Sequence, residues 1–177
     1  PTLLYGYGGV QISMRPHYRA TVGKLWLENE GAYVLANIRG GGEFGPDWHQ
    51  AGLKTHRQRI YDDFIAIAED LIERKVTRPD KLGIMGGSNG GLLMGVMLNQ
   101  RPDLWNAVVV QVPLLDMLRY HLLLAGASWV DEYGSPEQPE ERAFLEKISP
   151  VHNFAPKEKK YPTPFFVTST KDDRVHP

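Results

Sequence analysis

The stretch Gly86-Gly87-Ser88-Asn89-Gly90 constrains this chain more than any other. An apolar run that reads as a strand, Asp80 to Gly86, leads into it. An apolar run that reads as a helix, Gly91 to Gln100, leaves it. The pattern is G-x-S-x-G, and in that setting it describes a serine at the tip of a very tight strand-to-helix turn. Small residues flank the serine because only they let the strand and the helix approach each other. The turn also aims the backbone N–H of Asn89 toward a negative charge developing on a substrate oxygen. Two glycines and a serine at fixed spacing arise readily by chance, so the strand before and the helix after give the motif its weight.

The rest of the chain fits the scaffold such a turn requires. Leu3 to Tyr7, Tyr33 to Ile38, Ala107 to Val112 and Phe165 to Thr170 read as further strands. Helices are expected over Thr21 to Glu30 and near Glu140–Lys147. The clearest one carries Ile60, Phe64, Ile67 and Leu71 on one stripe, with Asp62, Asp63, Glu69, Asp70 and Glu73 facing away. Strand and helix alternating in this way imply an α/β fold with a mostly parallel sheet. The strands are continuous apolar runs, which predicts helices on both faces. With 177 residues the chain is long enough for a sizeable core.

Composition removes several function classes. There is no cysteine, hence no disulfide, thiol nucleophile or Cys-based metal site. Twenty basic against 21 acidic residues give a net charge of −1, which argues against a nucleic-acid partner. No apolar run approaches the roughly 18 residues of a membrane span. No metal or cofactor is expected, and the compartment is left open. Gly40-Gly41-Gly42-Glu43-Phe44-Gly45 satisfies a dinucleotide-loop pattern, but Pro46-Asp47-Trp48-His49-Gln50 follows where an apolar helix should open.

A serine hydrolase on this scaffold carries its triad in the order Ser, Asp or Glu, His. Lys171-Asp172-Asp173 follows the last strand, so one of these carboxylates is the candidate acid. The histidine should stand on a separate loop beyond one more strand. His17, His49, His56, His121 and His152 precede the acid, and His176 shares its loop. The general base is therefore expected outside these 177 residues. The opening Pro1-Thr2-Leu3-Leu4-Tyr5 runs straight into a strand and the end stops in a loop, so both ends are expected to be cuts through a longer protein.

Four segments, in order, resemble the catalytic domain of the prolyl oligopeptidase family. They are Tyr5-Gly6-Tyr7-Gly8-Gly9, Asn37 to Gly45, Gly86 to Gly91 and Asp172-Asp173-Arg174-Val175. The resemblance implies an incomplete α/β-hydrolase domain over residues 1–177, truncated before its C-terminal strands and lacking a β-propeller and the histidine segment. It implies cleavage of short peptides after proline through an acyl-enzyme. Ser88 would be the nucleophile and Asp172 the triad acid, with the Tyr7 hydroxyl and Asn89 N–H forming the oxyanion hole. Trp129, Tyr133 and Val175 would line the proline pocket, and Arg174 would bind a substrate carbonyl. Val10 stands where the family carries an aromatic, which implies a looser pocket. An esterase-like hydrolase and a non-catalytic scaffold are the alternatives. A sheet cut short predicts self-association through its exposed edge.

Overall fold

The computed structural model describes residues 1–177. Five strands form one sheet: β1 (Thr2–Tyr5), β2 (Ala32–Leu35), β3 (Leu82–Gly87), β4 (Ala107–Gln111) and β5 (Pro164–Val167). Their spatial order is β2-β1-β3-β4-β5, and every neighbouring pair is parallel. The chain leaves β1 toward one edge and later builds β3, β4 and β5 toward the other. The direction therefore reverses between β1 and β3. In open α/β sheets the crevice beyond the carboxyl ends of such a pair is where ligands bind. Tyr7 follows β1 and Ser88 follows β3.

The helices are α1 (Ala20–Leu25), α2 (Pro46–Gln50), α3 (Gln58–Glu73), α4 (Asn89–Gln100), α5 (Val130–Tyr133) and α6 (Pro139–Ile148). Helix α4 is apolar all round, and every residue from Asn89 to Asn99 is buried. On α3 the buried set is Ile60, Tyr61, Phe64, Ala68 and Leu71. Ile67, expected on that stripe, lies at its margin and is half-buried, because Ala68 holds the central line. Reciprocal amide hydrogen bonds of 3.0 Å between Gln58 and Gln100 join the start of α3 to the end of α4. Phe64 is fully buried against Trp105. Its truncation to alanine should cost about 3–5 kcal/mol.

Burial alternates along β1, β3 and β4, where continuous apolar runs predict burial on both sides, while β2 is half-buried throughout and β5 is mostly exposed. Leu4, Leu82, Ile84, Val108 and Val110 are buried, whereas Leu3, Tyr5, Met85 and Val109 are only half-buried. The first set faces the core built with α3 and α4. The second face meets thinner cover, including Arg19, whose guanidinium lies 5.2 Å from the Tyr5 ring centre and donates to the Tyr33 hydroxyl. Helix α1 has no buried residue and ends earlier than its sequence pattern predicts. A 3-10 turn, Leu27–Asn29, follows it and closes at Glu30 in the left-handed region (φ 62°). The edge strand β5 is the most open, with Phe165 66% and Phe166 51% exposed.

Among the backbone bonds that extend the sheet beyond its strand ends, two join the loops after β3, β4 and β5. Ser88 N–H donates to Gln111 O at 2.9 Å, and Val112 N–H donates to Val167 O at 2.7 Å. The loops that follow β3, β4 and β5 are thereby laced together.

Candidate active site

Ser88 sits between β3 and α4 at φ 57°, ψ −117°. A residue with a Cβ is strained there, by about 1–3 kcal/mol. The surrounding glycines explain how the turn closes. A Cβ on Gly86 would lie 2.5 Å from the Gly90 carbonyl oxygen, and one on Gly90 would lie 2.6 Å from the Gly6 carbonyl oxygen. Both obstacles are backbone and cannot rotate away. The Ser88 hydroxyl does not cap α4, although Ser88 occupies the N-cap position. Asn89 opens the helix, so its N–H has no acceptor within α4. The N-terminal end of the helix also favours negative charge.

Tyr7 approaches from the β1 side. Burial pushes its phenol above the ordinary value, while the Arg174 charge and the Ser88 hydroxyl pull it back. A neutral phenol, the nucleophile candidate and a cationic side chain thus share one small region. Such a pair of donors, a phenol O–H and a helix-end N–H, can stabilise a tetrahedral oxyanion.

Asp172 is partly exposed in the loop after β5. Its Oδ1 accepts the backbone N–H groups of Arg174 and Val175, both at 2.9 Å. These bonds hold its carboxyl below the ordinary aspartate value, so it is a carboxylate at neutral pH. The same two bonds fold the Asp172–Val175 turn and distinguish Asp172 from Asp173.

The apolar cavity beside this turn has a volume of about 510 Å³. Trp129, Leu123, Phe166, Val167, Thr168 and Val175 contribute to its wall. The Trp129 stretch is tied to the acid loop by the Ala125 N–H, which donates to Arg174 O at 3.4 Å. Tyr133 does not lie on that wall. It is 2% exposed, and its hydroxyl donates to Asn89 Oδ1 at 3.1 Å. Its neighbours, rather than a ligand space, enclose the ring: the Tyr120 ring meets it edge-on at 5.3 Å and the Arg57 guanidinium lies 4.5 Å from its centre.

Sequence reasoning missed a buried polar cluster next to Asn89. Arg57 is 1% exposed. It donates through Nη1 to Glu132 Oε1 at 3.0 Å and through Nη2 to Gly8 O at 3.4 Å and to Asn89 Oδ1. Glu132 Oε1 also accepts the Val10 N–H at 3.0 Å, and its Oε2 accepts from His49 Nε2 at 2.7 Å. Burial works to raise the Glu132 carboxyl. Arg57, His49 and the Val10 N–H more than reverse this, leaving it below the ordinary glutamate value. No spacing rule links positions 49, 57, 89 and 132, so nothing in the sequence points to the cluster.

No histidine is hydrogen-bonded to Ser88 or Asp172. His17 lies against Arg19, His49 against Glu132, His121 against Glu137, and His152 against Ser149. No group of three or more His, Asp or Glu side chains converges as a metal site, and no helix is long and apolar enough to cross a membrane.

The model of the prolyl oligopeptidase family of peptidases matches residues 16–177. The chain belongs to that family. It is 69% identical over 177 residues to an uncharacterized peptidase of Sinorhizobium fredii, covering all of this chain and 24% of that protein. It is 45% identical over 179 residues to the prolyl endopeptidase of Dictyostelium discoideum, covering all of this chain and 23% of that enzyme. The solved structure of a post-proline cleaving enzyme from Rickettsia typhi superposes with a TM-score of 0.97 at 48% identity, covering 100% of this chain and 26% of that one. The chain thus spans about a quarter of the length of the relatives it matches.

Proposed function

We propose that the protein containing this chain is a serine peptidase that hydrolyses short peptides on the C-terminal side of proline. The observation that carries the reading is Ser88, held at φ 57° on a glycine-built turn at the sheet's switch point with its hydroxyl uncommitted to the helix cap. Ser88 Oγ attacks the scissile carbonyl carbon while a histidine supplied by the rest of the parent chain takes its proton. The carbonyl π electrons move to oxygen, where the Tyr7 O–H and Asn89 N–H stabilise the charge. Collapse breaks the C–N bond, the histidine returns the proton to the leaving amine, and water then releases the acyl group from Ser88. Asp172 orients the histidine and stabilises its cationic form.

The proline ring enters the cavity beside Trp129 and Val175, where an apolar ring buries surface without stranding a polar group. Arg174 binds a carbonyl of the substrate backbone. Tyr133 acts on the site through its hydrogen bond to Asn89 Oδ1. The 177-residue chain alone is essentially inactive, since loss of a triad member costs about 10⁴-fold or more in kcat. It also self-associates through the β5 edge.

The test is a chromogenic peptide cleaved after proline, together with fluorophosphonate labelling of the full-length parent. Cleavage and labelling should both disappear in Ser88→Ala. Retention of either by that variant would overturn the assignment. Ester turnover without peptide turnover would point to an esterase, and failure of the unsubstituted parent to label would point to a scaffold.

A further inference from the structure

We infer that Arg57, clamped by Glu132, is a positioning residue that sets the geometry of the oxyanion hole. The inference rests on reading Tyr7 and Asn89 as the two oxyanion donors. These donors arrive on separate segments, one after β1 and the other opening α4. A single guanidinium joins both, through Gly8 O on the first segment and Asn89 Oδ1 on the second. Asn89 completes the tie by donating from Nδ2 to Tyr7 O at 2.6 Å. The two segments are pressed together closely enough that a Cβ on Gly9 would lie 2.5 Å from Asn89 Nδ2.

Glu132 holds the guanidinium by its other terminal nitrogen, Nη1, and also holds the Val10 N–H, which belongs to the loop that carries Tyr7. Tyr133 supplies a second donor to Asn89 Oδ1 and a ring under the guanidinium. Each lone pair of Asn89 Oδ1 thus has a donor, and the amide cannot rotate without taking an acceptor from both Arg57 and Tyr133. Burying an arginine–glutamate pair this completely is a poor way to gain stability, since apolar residues of equal volume commonly serve as well. It is a good way to fix one orientation, because the planar fork reaches several acceptors at set angles.

Neither Arg57 nor Glu132 reaches the substrate, so their effect must appear in the transition state and not in substrate binding. The experiment uses the full-length parent with Arg57→Met, Arg57→Lys and Tyr133→Phe. It measures kcat and KM on a proline chromogenic peptide. It also measures Ki for a peptide aldehyde, whose hemiacetal carries the oxyanion, and for the product peptide acid. Arg57→Met should lower kcat by about 10²-fold, comparable to the loss of one oxyanion donor. KM and product Ki should stay within about twofold of the parent, and aldehyde affinity should fall in step with kcat.

Arg57→Lys keeps the charge but not the fork and should recover part of the loss. In combination with Asn89→Ala, Arg57→Met should add little to the single Asn89→Ala defect, as expected for residues acting as one unit. If Arg57→Met does not accumulate as folded protein, Arg57→Lys and Tyr133→Phe decide, each with a smaller kcat loss at constant KM. Unchanged kcat and aldehyde Ki in the folded variants, or a loss confined to KM, would overturn the inference. Activity surviving Ser88→Ala would instead overturn the site reading beneath it.

Discussion

Replacing Ser88 by glycine should leave a more stable protein than replacing it by alanine, although both remove the hydroxyl. At φ 57° and ψ −117° any Cβ is strained, and alanine keeps that strain while glycine releases it. The release is worth about 1–3 kcal/mol, against which the extra freedom of glycine in the unfolded chain costs about 0.4–1 kcal/mol. The net gain of Ser88→Gly over Ser88→Ala is then within about 0–2.6 kcal/mol, with a midpoint of about 1.3 kcal/mol. For a domain of this size the midpoint corresponds to a Tm difference of about 3–5 °C. Thermal unfolding of the two variants of the 177-residue chain, at matched concentration and pH, measures it directly. The same order should hold in the full-length parent, where both variants should be equally inactive. A Ser88→Ala protein more stable than Ser88→Gly would refute the idea that the turn is held against its own preference.

Tyr7→Phe in the full-length parent should lower kcat by about 10²–10³-fold with KM little changed, as steady-state kinetics on a proline peptide would read out. Glu132 has a folded-state pKa below its unfolded value, so its contribution to stability is present above about pH 4.3 and is lost as pH falls through the lower folded value. Tm measured from neutral pH downward should therefore drop less steeply in Glu132→Gln, from a lower starting value, and parallel curves would contradict this. Phe165→Lys places a charge on the open strand β5, where Phe165 is 66% exposed, and should reduce self-association of the isolated chain in light scattering.

Much of this molecule is legible in the amino-acid order because the signals are local. The G-x-S-x-G turn is marked by its glycines, whose missing side chains are what the close backbone contacts at Gly86 and Gly90 demand. The five strands show as apolar runs, with ends displaced by up to three residues. Where local and global diverge, the sequence misleads. An unbroken apolar run cannot be told from an alternating one when both faces of a strand use apolar residues: Val108, Val109 and Val110 are all valine, yet only the outer two are buried. The family resemblance implies Tyr133 at a pocket wall, and an aromatic in sequence carries no mark of depth. Its hydroxyl instead meets Asn89, 44 positions earlier. Arg57 and Glu132, 75 positions apart, look like ordinary surface charges until the fold brings them together.

The lacing of Ser88 to Gln111 and of Val112 to Val167 has an implication for how such a protein can change over time. The spacing between nucleophile and acid loop is counted out in strands, about 4.8 Å apiece, and not in residues of intervening chain. The long segment between β4 and β5 can accept insertions that leave that spacing untouched. A single residue gained or lost within β5 would advance or retract the acid by about 3.3 Å and turn its side chain to the opposite face. Length variation should accordingly be tolerated between β4 and β5 where it spares Trp129, Glu132 and Tyr133, and forbidden from the start of β5 to Asp172.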